Sequence, residues 1–188
     1  MSKTTGMREQ LLRAAEKRVR AFGFAEMSFR ELANDVGVKS ASVHYHFPKK
    51  ADLGEALIDA YTERFKAALD EIETDDPAAA IDAYIGLYDQ ALVLDESICL
   101  CGILGAESIG LPPTMTQKTS AFFAMNHEWL AELFAKHYPG LDKSFAGFTV
   151  AALEGAIIIA STSKDRELFA QAGRNLSRVI ASCGQAQC

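Results

Sequence analysis

The chain holds one tryptophan, five prolines and four cysteines in 188 residues. Cysteines this sparse (Cys99, Cys101, Cys183 and Cys188) do not form a stapling framework in a chain of this length, so they read as reduced thiols. Long apolar runs are missing too. The most apolar stretch, Phe148–Ala160, is interrupted by Glu154 and is too short for a membrane span. Met1–Met7 is polar and has no apolar signal core, so a cytoplasmic location is expected rather than export. Period-two alternation with β-branched residues never persists and no two-residue hairpin signal occurs, which leaves no strand. Internal repeats and low-complexity tracts are absent. So are a nucleophile elbow, a phosphate-cradling glycine loop, an H-E-x-x-H helix and a paired metal motif, which removes the common enzyme signatures. Basic charge is also short overall: 19 Lys+Arg face 25 Asp+Glu, a net of −6. Taken alone, that total argues against a nucleic-acid partner.

The distribution of the charges reverses the inference. Residues 1–50 hold 10 Lys+Arg and 5 Asp+Glu, a net of +5, whereas residues 51–188 hold 9 and 20, a net of −11. A basic head on an acidic body suggests a nucleic-acid site in one segment. With 49% apolar and 23% charged residues the composition is that of a globular chain, and the length allows two small domains, expected at 1–50 and 51–188.

Almost every segment carries the period of a helix. Leu11, Ala15, Val19 and Phe22 lie on one helical face that ends at Gly23. Ser28-x-x-Glu31 is a capping-box pattern, and Gly37 suits the tight turn after Val36. Ser40–Phe47 is a second short helix stopped by Pro48. Further helices are expected over Ala51–Ile72, Pro77–Leu94 (with Asp76 as its cap), Ile98–Ile109, Met115–His137, Ser144–Ala160 and Asp165–Ser182. The expected fold is all-α with about nine helices.

Ser28–Phe47 has the plan helix, glycine-containing turn, helix. Leu32, Ala33, Val36, Val38, Val43 and Phe47 supply a buried side, leaving Lys39, Ser40, Ala41, Ser42, His44 and Tyr45 to face outward. Small and hydroxyl residues admit close approach of a duplex, and His44 and Tyr45 can reach phosphates or base edges. Lys49 and Lys50 open the next helix, where ammonium and free amide groups together can hold a phosphate. The pair His44-x-His46 points apart on a helix, so a shared metal is not expected.

These residues resemble a known family. Phe24-x-x-x-Ser28-Phe29-Arg30-Glu31-Leu32-Ala33, Gly37-Val38 and Ser42-Val43-His44-Tyr45-His46-Phe47-Pro48-Lys49-Lys50-x-x-Leu53 are similar to the TetR family of bacterial transcriptional regulators over roughly residues 8–60. The resemblance implies an all-helical homodimer whose N-terminal three-helix, helix-turn-helix domain binds a palindromic operator in double-stranded DNA. It also implies a helical C-terminal domain for dimerisation and for a small effector that releases the DNA, with repression the commoner mode. By position it assigns Ser28 and Lys50 to phosphates and Ser42, His44 and Tyr45 to the operator. Arg18 stands where the family usually carries an apolar residue, and Lys39 where serine often caps, so Ser40 is expected to cap instead.

In the body, Tyr61, Phe65, Tyr84, Tyr88, Cys99, Phe122, Met125 and Trp129 are the candidate lining of a largely apolar effector pocket; each alone also suits ordinary core. Cys99 and Cys101 lie early in a short helix, where the dipole favours a thiolate and Asp95 and Glu96 oppose it; a thiol-based sensor of oxidants or electrophiles is the alternative reading. Gly147, Ala151 and Gly155 form a small-residue stripe that, with Ile158, is the candidate dimer face. No cofactor, metal or membrane partner is called for. Two rivals remain: an all-helical enzyme, and a DNA-binding protein that answers to no ligand.

Overall fold

The computed structural model describes residues 3–95 and 97–185. Among the described residues it contains nine α-helices, one short 3-10 turn and no strand. They are α1 (Lys3–Phe22), α2 (Phe29–Val36), α3 (Ser40–His46), α4 (Lys50–Asp70), α5 (Pro77–Asp95), α6 (Leu100–Ala106), α7 (Pro113–His137), α8 (Lys143–Ser163) and α9 (Arg166–Gln185), with the 3-10 turn at Ser108–Gly110. The all-helical class and the helix count expected from periodicity are both found. The Cys188 position falls outside the described residues.

The chain divides into two compact units. The first takes in the described residues through Glu63 together with Leu100–Ser120; the second takes in Arg64–Cys99 and the described residues from Ala121 onward. In the first unit, α2 and α3 are eight and seven residues long, too short to persist alone in water. Packing holds them. Leu11, Ala15 and Val19 of α1 are fully buried, as are Leu32, Val43, Leu53 and Leu57. Burying each of these leucine and valine side chains contributes about 1.5–3 kcal/mol.

Turn chemistry fixes the angle between the short helices. Gly37 ends α2 at φ 72° and ψ 34°, the left-handed region where glycine escapes the Cβ penalty. Its N–H donates to Asn34 O (3.2 Å), and Val38 N–H donates to Ala33 O (2.9 Å); this six-residue closure satisfies the last carbonyls of α2. At the other end of α2, Ser28 Oγ accepts from Glu31 N–H (3.3 Å), and the Ser28 hydroxyl donates to Glu31 Oε2 (2.9 Å).

The second unit is built around α5, α8 and α9. The Asp76 carboxylate accepts from the Ala78 and Ala79 amides (3.1 Å each), with Pro77 first in α5, as the sequence predicts. Asp142 caps α8 by accepting from the Ser144 and Phe145 amides. The α8 helix has 21 residues and is the one described helix long and apolar enough to cross a membrane, longer than the Phe148–Ala160 run suggests because Lys143–Gly147 and Ser161–Ser163 extend it. Ala146, Thr149, Val150, Leu153, Ile157 and Ala160 are nonetheless buried along one side, the pattern of a core helix packed on neighbours. Across this core, Ser177 donates to Asp82 (2.8 Å) and Arg166 bonds Asp89 (3.2 Å).

Candidate nucleic-acid interface

The α3 helix is anchored from beneath. Val43 is fully buried and Phe47, its C-cap, is 2% exposed. Their burial turns the opposite face outward, where Ala41, His44 and Tyr45 are exposed and Ser40 and Ser42 half-buried. Tyr45 is 77% exposed. A large aromatic ring left in water on a helix this short is not contributing to the core. His44 is less free to move, because its ring meets the edge of Phe29 at 4.8 Å. His46 lies half-buried between Tyr45 (5.2 Å) and Phe47 (6.5 Å).

Lys39 is exposed and stands at the N-cap of α3 with no side-chain cap bond. Ser40 is already helical and does not cap. The expectation of a Ser40 cap is therefore corrected: the helix enters one residue earlier, and the Ser42 amide turns back to Lys39 O (2.8 Å).

Lys49 is exposed, and its N–H donates to Asp52 Oδ2 (2.9 Å), which closes the first turn of α4. Lys50 is turned inward. Its ammonium donates to Ala25 O (2.9 Å) and lies 4.8 Å from the centroid of the Phe24 ring. Burial pushes its pKa down, against the opposing fields of Glu107 and Glu26. Ser28 is likewise committed to Glu31. Of the outward residues expected to meet DNA, these two are held by other partners.

Two residues outside the sequence-based set shape the same face. Arg8 of α1 lies over the Phe47 ring at 5.2 Å, which places a cation beside the end of α3. Only the excess of basic residues in the head pointed to it. Glu107 reaches from the end of α6 to accept from the amides of Phe24 (3.1 Å to each oxygen) and Ala25 (3.1 Å). Gly23 makes room for it: its φ is +84°, and a Cβ there would collide with the Glu107 carboxylate. No local pattern announces a contact across 83 residues of chain.

Arg18 resolves the departure noted in the sequence. Its guanidinium donates to both oxygens of Asp35 (2.6 and 3.1 Å) and lies 3.4 Å from Glu31. An apolar side chain at this position would pack α1 on α2; Arg18 ties the two helices with charge instead. The hydrogen bond from Arg18 holds the Asp35 carboxyl below the usual aspartate range.

The family model described as bacterial regulatory proteins, tetR family, matches residues 11–57, the segment that holds all of this geometry except Arg8 and Glu107. The transcriptional regulator AcuR of Cereibacter sphaeroides is 27% identical over 166 residues, covering 80% of this chain and 74% of its own. A TetR transcriptional regulator from Legionella pneumophila superposes with a TM-score of 0.86 at 26% identity, covering 96% of this chain and 98% of its own. A TetR-family regulator from Agrobacterium tumefaciens does so with a TM-score of 0.89 at 25% identity, covering 95% and 99%. The matched domain and the shared fold support a TetR-family transcriptional regulator. The same findings point to a DNA-binding regulator.

In the regulator's second unit, five of the residues expected around an effector form one aromatic group. Tyr84 stacks on Trp129 (5.3 Å, 12°) and donates to Asn126 Oδ1 (2.9 Å). Phe65 meets Tyr88 (6.0 Å) and Phe122 (5.1 Å) edge-on. Met125 is half-buried against the same core, and Cys99 is buried. Tyr61 belongs to the other unit, where Arg20 lies 5.9 Å from its ring. Cys99 precedes α6 and Cys101 lies within it; both are buried, so neither presents an open thiol at the surface. Along α8, Gly147 faces the His127 ring of α7, while Ala151 and Ile158 are exposed and a Cβ on Gly155 would meet nothing. Phe148, Ile159, Leu168 and Val179 are exposed on α8 and α9 as well.

Proposed function

We propose that the regulator is a ligand-responsive repressor that binds a palindromic operator as a homodimer and is released by a small effector. Residues 1–50 read the DNA, and residues 51–188 dimerise and hold the effector. The observation that carries the reading is Tyr45, 77% exposed on a helix whose opposite side is fully anchored. Lys39, Ser40, Ala41, Ser42 and His44 share that helix and its approach, with Lys49 behind them and Arg8 flanking. Ser28 and Lys50 join when their present partners are exchanged for phosphates. The exposed apolar residues of α8 and α9 support the homodimer, since apolar side chains left in water on two adjacent helices favour a partner. Two recognition helices must then stand about 34–36 Å apart to meet successive major grooves. A cytoplasmic location follows from a task on genomic DNA.

The test is selection of an operator from random duplexes, followed by titration of variants. Tyr45→Ala should weaken operator binding by about 5- to 100-fold, the range of a lost base contact, while leaving the melting temperature unchanged. Unchanged affinity would remove α3 from the interface. A reporter driven by the selected operator should rise when the regulator is deleted; a fall would make it an activator.

A further inference from the structure

The strongest unexplained group in the second unit is Glu154. It interrupts the apolar run of α8; the residue is half-buried, and both carboxylate oxygens are shut off from solvent. No N–H or O–H group among the described residues bonds its oxygens; the hydrogen bond they have comes from the Cys99 thiol. The titratable groups that act with it are Tyr84 and Tyr88 of α5 and Cys99, which precedes α6. None of them can neutralise a carboxylate. The Tyr84 hydroxyl gives its proton to Asn126, and the Tyr88 hydroxyl lies 3.5 Å from that of Tyr84. A thiol is a weak donor. Burial raises its pKa to about 7, opposed by the Cys99 hydrogen bond and by no basic side chain.

A buried carboxylate without a counter-charge carries a large desolvation cost, which a cation arriving from solution would offset. The surroundings suit such a cation in a second way. Tyr84, Tyr88, Phe65 and Trp129 group their rings in the same core, and ring faces attract ammonium groups. We infer that Glu154 is the charge-recognising residue of the effector site, and that the effector is an organic cation with an apolar body, its ammonium set against Glu154 and the tyrosine rings. The inference rests on the ligand-responsive reading and gives it a ligand class.

The test uses three probes of matched shape: benzyltrimethylammonium, its neutral isostere neopentylbenzene, and the anion phenylacetate. Binding is measured by calorimetry on the full-length protein from pH 5.5 to 8.5, and DNA release by anisotropy on the selected operator. The cation should bind and the other two should not. Because only ionised Glu154 pairs with it, affinity should rise about tenfold per pH unit below about 7 and level off above. Glu154→Gln, which keeps shape and removes the charge, should lose at least tenfold in affinity and flatten the pH profile. Glu154→Asp, which restores the charge on a shorter arm, should recover part of both. Failure of the cation to bind, equal binding of the neutral isostere, or an unchanged profile in Glu154→Gln would overturn the assignment. Release of DNA by phenylacetate or the neutral probe would overturn the cation class and leave ligand response standing. Binding of the cation with no change in DNA affinity would keep the site and remove the ligand-response reading.

Discussion

At the scale of single residues, the regulator separates positions that hold the fold from positions that face outward. Gly37 has open space where a Cβ would stand, so only its φ of +72° opposes substitution. Gly37→Ala should therefore cost about 1–2 kcal/mol, a fall in melting temperature of about 2–8 °C by calorimetry. Arg18 and Asp35 give a pH signature. The Asp35 carboxyl titrates below its ordinary value because Arg18 bonds it. A depressed folded pKa contributes stability that is fully present above the unfolded value of about 4 and is lost as pH falls through the folded one. Asp35→Asn should thus melt below the parent at pH 7, and the gap should close toward pH 3. A gap independent of pH would show that the pair contributes through shape alone.

At the scale of elements, the important join is between Glu107 and the turn after α1. Three contacts from backbone amides converge on one carboxylate, and hydrogen bonds to charged groups contribute about 1.5–3 kcal/mol. Glu107→Ala should lower stability by an amount of that order, and amide exchange at Phe24 and Ala25 should accelerate more than exchange in α5. Helices, caps and turns were legible in the sequence because their causes are local: Ser28 and Glu31 are three apart, Asp76 and Pro77 adjacent, Gly37 alone at its bend. Lys50 was legible as a cation at a helix start but not as a donor to Ala25, 25 residues away. Arg18 looked like a misplaced charge until Asp35 was found opposite it, and Glu154 looked like a mere break in an apolar run. Contacts between residues remote in sequence leave no period or spacing to read. The candidate DNA face was therefore largely legible, whereas the partners that hold Lys50 and the burial of Glu154 were not.

At the scale of the whole molecule, association and charge set the behaviour. If α8 and α9 pair across a two-fold axis, Ile159→Lys places a charge on an exposed apolar face. Light scattering should then report a monomer at micromolar concentration, and operator affinity should fall even though Ile159 is remote in sequence from α3. The parent scattering as a monomer would contradict the dimer. Lys50 adds a prediction for salt: if it leaves Ala25 to bind a phosphate, Lys50→Ala should reduce the slope of log affinity against log salt by about one. The anchoring of α3 by Val43 and Phe47 has a longer consequence. Changes to exposed side chains usually move stability by no more than about 0.5 kcal/mol, so the exposed candidates Lys39, Ala41 and Tyr45 can be exchanged without endangering the domain that carries them. Lineages of this regulator can thus drift from one promoter to another, or be rewritten in the laboratory, through viable intermediates at every step.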